Sequence, residues 1–193
     1  MKPDIILVGG GGHCKSVIDV IEQEDRFRIS GIIDMTENVG RNVLGYPVIG
    51  CDDDLEVVRG KCSFAVITVG QLKNCEIRLS LFKRLNSLQY NLPVIISPRA
   101  YVSKHAAVGA GTVIMHDSLV NANAMIGLNC IINSKALIEH DAVIEDHCHI
   151  STGAVVNGGG RVGEGSFYGS NATCRQSADI PSGSFVKAGS VFK

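Results

Sequence analysis

From Val102 to Phe192 the chain returns to an apolar residue at every sixth position, and the register never slips. Thirteen of these sixteen residues are Val or Ile; the other three are Tyr168, Cys174 and Phe192. Four residues after each of the first fifteen stands a small residue, from Ala106 and Thr112 through Cys130, Cys148 and Gly160 to Ser190. A period of six fits neither the 3.6-residue turn of an amphipathic helix nor the two-residue alternation of a half-buried strand. It fits one short flat strand followed by one turn. Three such units close a triangular coil of eighteen residues, with the branched residue pointing into the prism and the small one where two faces converge. The repeat therefore predicts a parallel β-helix of hexapeptide repeats with about five coils, roughly 24 Å long at strand spacing.

The composition agrees with such a core. The chain has 22 glycines, no tryptophan and 5% aromatics, and a regular stack of small and β-branched residues needs few large rings. A formal net charge of -1 argues against a nucleic-acid partner, which would call for a basic surface. No apolar run reaches the length of a membrane span, so no membrane is expected. The seven cysteines show no C-x-x-C spacing and the start Met1-Lys2-Pro3-Asp4 carries no signal-peptide pattern, so reduced thiols and a cytoplasmic location are expected.

The first half follows a different rule, and the boundary is expected near residue 98, giving domains 1–98 and 99–193. Ile5 to Val8 reads as a buried strand, Cys14 to Glu24 as a helix, and Ile29 to Met35 as a second strand with Asp34 at its end. Pro47 to Gly50 reads as a third strand, Leu55 to Arg59 as a helix capped by Asp52-Asp53-Asp54, and Ser63 to Val69 as a strand ending at Gly70. Asn74 to Leu88 is helical and Leu92 to Ile96 is the last strand before Pro98. Alternating strands and helices predict an α/β domain with a small parallel sheet covered on both faces.

Between the first strand and the first helix lies Gly9-Gly10-Gly11-Gly12-His13. Glycines allow close backbone approach, and a helix N-terminus offers free N–H groups to an anion. A dinucleotide fingerprint would need a third glycine where Cys14 stands, and the lysine and hydroxyl of a phosphate-binding loop are absent. The loop reads either as a nucleotide or phosphate cradle of another kind, with Asp34 placed where such folds put a ribose-binding acid, or as a tight turn that merely suits the fold.

Two halves of this kind, with Ile138-Glu139-His140-Asp141 followed by Val143-Ile144 and His149, resemble the bacterial nucleotide-amino-sugar N-acetyltransferases of the hexapeptide-repeat acyltransferase superfamily. Gly9 to His13, Asp34, Gly70 with Glu76-Ile77-Arg78, and Asn133 also match the family pattern, so the resemblance covers essentially the whole chain. It implies a Rossmann-like N-terminal domain followed by a left-handed β-helix. It also implies a homotrimer and acetyl-CoA as acyl donor, held between neighbouring prisms. The acceptor would be a UDP- or GDP-linked 4-amino-deoxy sugar for bacterial surface glycans. The residue matching His140 is the general base and the one matching Asp141 polarises it. Those matching Gly9, Gly10, Gly11, Gly12, His13, Asp34, Gly70 and Asn133 serve the nucleotide sugar, and that matching His149 lies by acetyl-CoA. The family pattern continues with a G-x-P-A-K-like tail where this chain has Ala188-Gly189-Ser190-Val191-Phe192-Lys193, so adenine-end contacts from such a tail are not carried over.

The chemistry of the residues is consistent with that role. A thioester-attacking amine must lose a proton, which a neutral imidazole can take near pH 7, and an adjacent carboxylate can hold the tautomer. His140 occupies the third place of its hexad, on a prism corner, pointing outward. One coil back stands Ala122 and one coil on stands Gly158, so an open channel along the corner is expected, with Asn157-Gly158-Gly159-Gly160 offering exposed backbone to a pantetheine arm. Gly158 and Gly159 are accordingly expected at the donor. His147-Cys148-His149 suggests a metal, but Cys148 is at an inward place, so three ligands do not converge and no metal is expected. Alternatives at this stage are transfer to a sugar hydroxyl, as in sialic-acid O-acetylation, and a non-catalytic trimeric partner in sugar biosynthesis.

Overall fold

A computed structural model describes residues 1–193. The chain divides into two compact units, Met1–Gly70 with Ile77–Pro93, and Gln71–Glu76 with Val94–Lys193.

In the first unit a five-stranded sheet is built from β1 (Asp4–Val8), β2 (Arg28–Ile33), β3 (Asn42–Val43), β4 (Tyr46–Gly50) and β5 (Phe64–Ile67), in the order β3-β4-β2-β1-β5. The central strands are parallel, but β3 runs antiparallel to β4, so the sheet is mixed rather than purely parallel as expected. The helices α1 (Gly12–Glu24), α2 (Leu55–Arg59) and α3 (Glu76–Ser87) lie at the predicted places. After Asp4 the residues of β1 are all apolar, and Ile5, Ile6, Leu7 and Val8 are at or below 1% exposure, as a central strand covered on both faces requires.

The strand expected at Leu92–Ile96 is corrected. Ile95–Ile96 pairs with Val113–Ile114 and belongs to the second unit; the first unit keeps only a bridge from Phe64 to Asn91. Its Ile-Ile pair already obeys the hexad step back from Val102, so the repeat starts one unit earlier than read.

The second unit is the left-handed parallel β-helix. Seventeen two-residue strands, from Ile95–Ile96 to Val191–Phe192, form three parallel sheets. Each residue pairs with the one eighteen positions on, as Val120 with Ile138 and Ile138 with Val156. First-place residues such as Val120, Ile138, Ile150 and Val162 are fully buried, and so are the fifth-place residues Ala124, Cys130, Ala142 and Cys148. Truncating one of the isoleucines to Ala would cost about 2–5 kcal/mol.

The turn is set at the fourth place of each hexad, which is left-handed from Gly111 to Gly189. Asp117, Asn123, Asn129, Asp141, His147, Asn171 and the glycines in that column all have φ between about +50° and +75°. Glycine, asparagine and aspartate tolerate this conformation best. Backbone bonds then tie each corner to the next coil, as in Gly159 N–H to the His140 carbonyl at 3.0 Å.

Candidate active site

His140 and Asp141 occupy the third and fourth places of one corner. The left-handed backbone of Asp141 turns its carboxylate back onto the preceding ring, and His140 Nδ1 lies 2.7 Å from Asp141 Oδ2. Both side chains are more than half exposed. The carboxylate fixes the proton of a neutral ring on Nδ1 and leaves Nε2 as the basic atom. Its hydrogen bond also raises the His140 pKa above the ordinary 6.5. The Asp141 carboxyl is held below its ordinary range, first by a hydrogen bond from Asn123 Nδ2 at 2.7 Å and then by His140. Glu139 receives Asn121 Nδ2 at 2.8 Å and accepts the His140 N–H at 3.2 Å.

The corner is less open than the repeat arithmetic implies. The imidazole lies over Gly158, where an added Cβ would stand 2.8 Å from Cε1 and 2.9 Å from Nε2. Gly158 is therefore buried, Gly160 is buried at its inward fifth place against Val156 and Cys174, and of that glycine run only Gly159 is exposed. The expected stretch of exposed glycine backbone shrinks to one residue, because the ring fills the gap at Gly158 and Gly160 faces the prism interior.

His149 and Asn133, one assigned to the donor and one to the acceptor, meet each other. His149 is 5% exposed; its Nδ1 lies 2.6 Å from the Gln71 carbonyl, so it donates, and its Nε2 accepts from Asn133 Nδ2 at 3.1 Å. Asn133 Oδ1 accepts the Ser134 N–H at 2.8 Å, which commits the whole amide. Gln71 is also buried and gives its Nε2 to the His147 carbonyl at 3.1 Å. His149 is thus a neutral strut between the Gln71–Glu76 segment and the coil. Cys148 turns the other way, its thiol 3.1 Å from the Gly163 carbonyl, and no three metal-ligating side chains converge.

The expected nucleotide residues come together in the first unit, at the C-terminal edge of the sheet. Gly9, at φ +110°, fits against Val69, and a Cβ there would meet Val69 Cγ2 at 2.4 Å. Gly10 fits against the Asp34 carboxylate, and Gly70 backs onto His13. Gly11 and Gly12 face open space, and no side chain caps α1. Free N–H groups at a helix start, bordered by glycines, suit a phosphate.

Sequence reading gave no bracing role to the residues that hold this loop. Asn38 Nδ2 holds Asp34 Oδ2 at 2.8 Å, Thr68 Oγ1 donates to the Gly9 carbonyl at 2.6 Å, and the buried Arg78 guanidinium donates to the Ile67 and Val69 carbonyls. No helix is long and apolar enough to cross a membrane.

Among curated proteins no sequence matches this chain. The family described as the PglD N-terminal domain matches residues 4–85. The acetyltransferase domain of PglB from Neisseria gonorrhoeae is 30% identical, with a TM-score of 0.91, over 100% of this chain and 92% of that one. PerB from Caulobacter crescentus, solved with CoA and GDP-perosamine, is 29% identical with a TM-score of 0.92, over 98% and 88% of the two chains. WeeI from Acinetobacter baumannii, at 18% identity and a TM-score of 0.68 over 95% and 96%, shares the fold. With a dyad on a prism corner, a glycine loop at a sheet edge and these likenesses along its full length, the chain belongs to the nucleotide-amino-sugar N-acetyltransferase family.

Proposed function

We propose that the protein transfers the acetyl group of acetyl-CoA to the amine of a UDP- or GDP-linked 4-amino-deoxy sugar, with His140 as general base. The observation that carries this is the His140 Nδ1–Asp141 Oδ2 contact at 2.7 Å, which leaves Nε2 as the basic atom. The likeness to PerB with CoA and GDP-perosamine, and to the PglB domain with acetyl coenzyme A, supports both substrate classes.

The steps follow from these groups. The sugar amine attacks the thioester carbonyl while Nε2 accepts its proton, and Asp141 stabilises the resulting imidazolium. The tetrahedral intermediate then expels the CoA thiolate, which takes that proton from Nε2, and the amide is left. The charge developing on the carbonyl oxygen needs a donor. In three hexads the third-place N–H is capped by the side chain before it: Ala122 by Asn121 at 2.7 Å, Ser134 by Asn133 at 2.8 Å, His140 by Glu139 at 3.2 Å. Asn157 Nδ2 donates to the Cys174 carbonyl at 2.6 Å. We assign the Gly158 N–H, on the residue over which the imidazole lies, to that oxygen.

On this reading the glycine loop, His13, Asp34 and Gly70 hold the acceptor's nucleotide, Gly159 borders the donor, and the active protein is a cytoplasmic homotrimer. Outward apolar residues along one prism face, among them Tyr101 and Val191, each about 60% exposed, support burial against neighbouring copies. Sedimentation showing an active monomer would remove the trimer. The activity is tested by CoA release with a panel of UDP- and GDP-linked 4-amino-6-deoxy sugars, with free sialic acid as control. Release with an amino sugar and none with sialic acid is expected; release with sialic acid alone would make it an O-acetyltransferase.

A further inference from the structure

The His140–Asp141 pair has a weakness. Both side chains are more than half exposed, and an exposed ion pair is held loosely unless a third group restrains it. The restraint comes from Asn123, one coil back. Asn123 and Asp141 are eighteen residues apart and both stand at left-handed fourth places, with φ of 60° and 61°, so their side chains leave the corner in the same direction. The Asn123 amide donates to Asp141 Oδ1 at 2.7 Å, and Asp141 Oδ2 faces His140 Nδ1 at the same distance. Each carboxylate oxygen therefore has one donor, and the plane of the carboxylate is set by two bonds rather than one.

We propose that Asn123 is a positioning residue for the reaction, holding Asp141 so that His140 keeps its proton on Nδ1 and presents Nε2. The proposal rests on His140 being the base. Asparagine also suits a left-handed turn for its own sake, as at Asn171, and the competing explanation is that Asn123 does nothing more. Glycine tells the two apart. It keeps the left-handed backbone at no cost and removes the amide.

The experiment measures kcat, both KM values and the pH profile for Asn123→Gly, Asn123→Asp and His140→Ala, after checking fold and oligomeric state. Asn123 is exposed and its variants keep a backbone-compatible residue, so folding is expected to be retained. Asn123→Gly should lose roughly tenfold in kcat, in keeping with a hydrogen bond to a charged group, with both KM values unchanged. Its acid limb should move to lower pH, because a looser Asp141 raises the His140 pKa less. Asn123→Asp cannot donate and should lose kcat as well, but its added negative charge should move the limb to higher pH. The other ionisable group acting on the ring is Glu139 on the same corner; it stays constant across the variants, as does the titration of the substrate amine. Full kcat and an unmoved limb in Asn123→Gly, with His140→Ala inactive, would overturn the role of Asn123 alone. Full activity in His140→Ala would overturn the base assignment and this inference with it.

Discussion

Replacing Gly158 with Ala tests how the imidazole is seated. The backbone there is outside the left-handed region, so alanine adds no backbone strain. The new methyl would stand 2.8 Å from His140 Cε1 and 2.9 Å from Nε2. Carbon contacts are comfortable at about 3.5–4.0 Å, so the ring must retreat by roughly 1 Å. The ring is exposed and can move without disturbing the core, so the melting temperature should stay within about 2 °C. The retreat pulls on the 2.7 Å bond to Asp141 and shifts Nε2, the atom that must meet the amine. A misplacement of about 1 Å can cost about 10²-fold in rate, so kcat should fall roughly 10- to 100-fold. The assay is thiol release from acetyl-CoA at saturating concentrations of both substrates. Turnover within about twofold of the parent, well short of that loss, would show that the active ring does not lie over residue 158.

Asp34→Ala should raise the KM for the nucleotide sugar about tenfold and leave that for acetyl-CoA unchanged; an equal loss for both would refute the division of labour between the units. Gly9→Ala forces a Cβ to 2.4 Å from Val69 Cγ2 at φ +110° and should cost roughly 2–4 kcal/mol, read by chemical denaturation against an unchanged midpoint as the contrary result. Because Asp141 raises the His140 pKa above 6.5, the base is lost as pH falls through a value above that figure, so the acid limb of kcat/KM should lie there. Asp141→Asn should move the limb down and lower kcat; a limb that stays put would assign it to another group.

The prism was legible because a six-residue step fits one strand and one turn, and the unbroken column of apolar residues, mostly Val or Ile, pointing into the prism fixes the register. His140 was legible as an outward residue for the same reason. What it does there was not, since the period says nothing of how a side chain turns, and the ring lies over Gly158 instead of standing clear of it. Asn123 was within reach of the same arithmetic: it is eighteen residues before Asp141, and the run of Asp, Asn and Gly at fourth places marks the left-handed column. Residues 71–73 have no repeat and no helical period, so nothing in them announced that Gln71 would pin His149. Asn133 and His149 carried roles from the family pattern, and their mutual bond depends on a contact across sixteen residues that pattern alone does not reveal. The antiparallel β3 is only two residues long, too short for any alternation to show.

The central claim is that His140 takes the proton from the acceptor amine. Its most direct test is the turnover of folded His140→Ala, of parental oligomeric state, at saturating acetyl-CoA and nucleotide amino sugar. The predicted kcat is lower by roughly 10²–10⁴, with acetyl-CoA binding retained. A kcat within about threefold of the parent, far above that range, would mean that the base lies elsewhere or that the amine needs none.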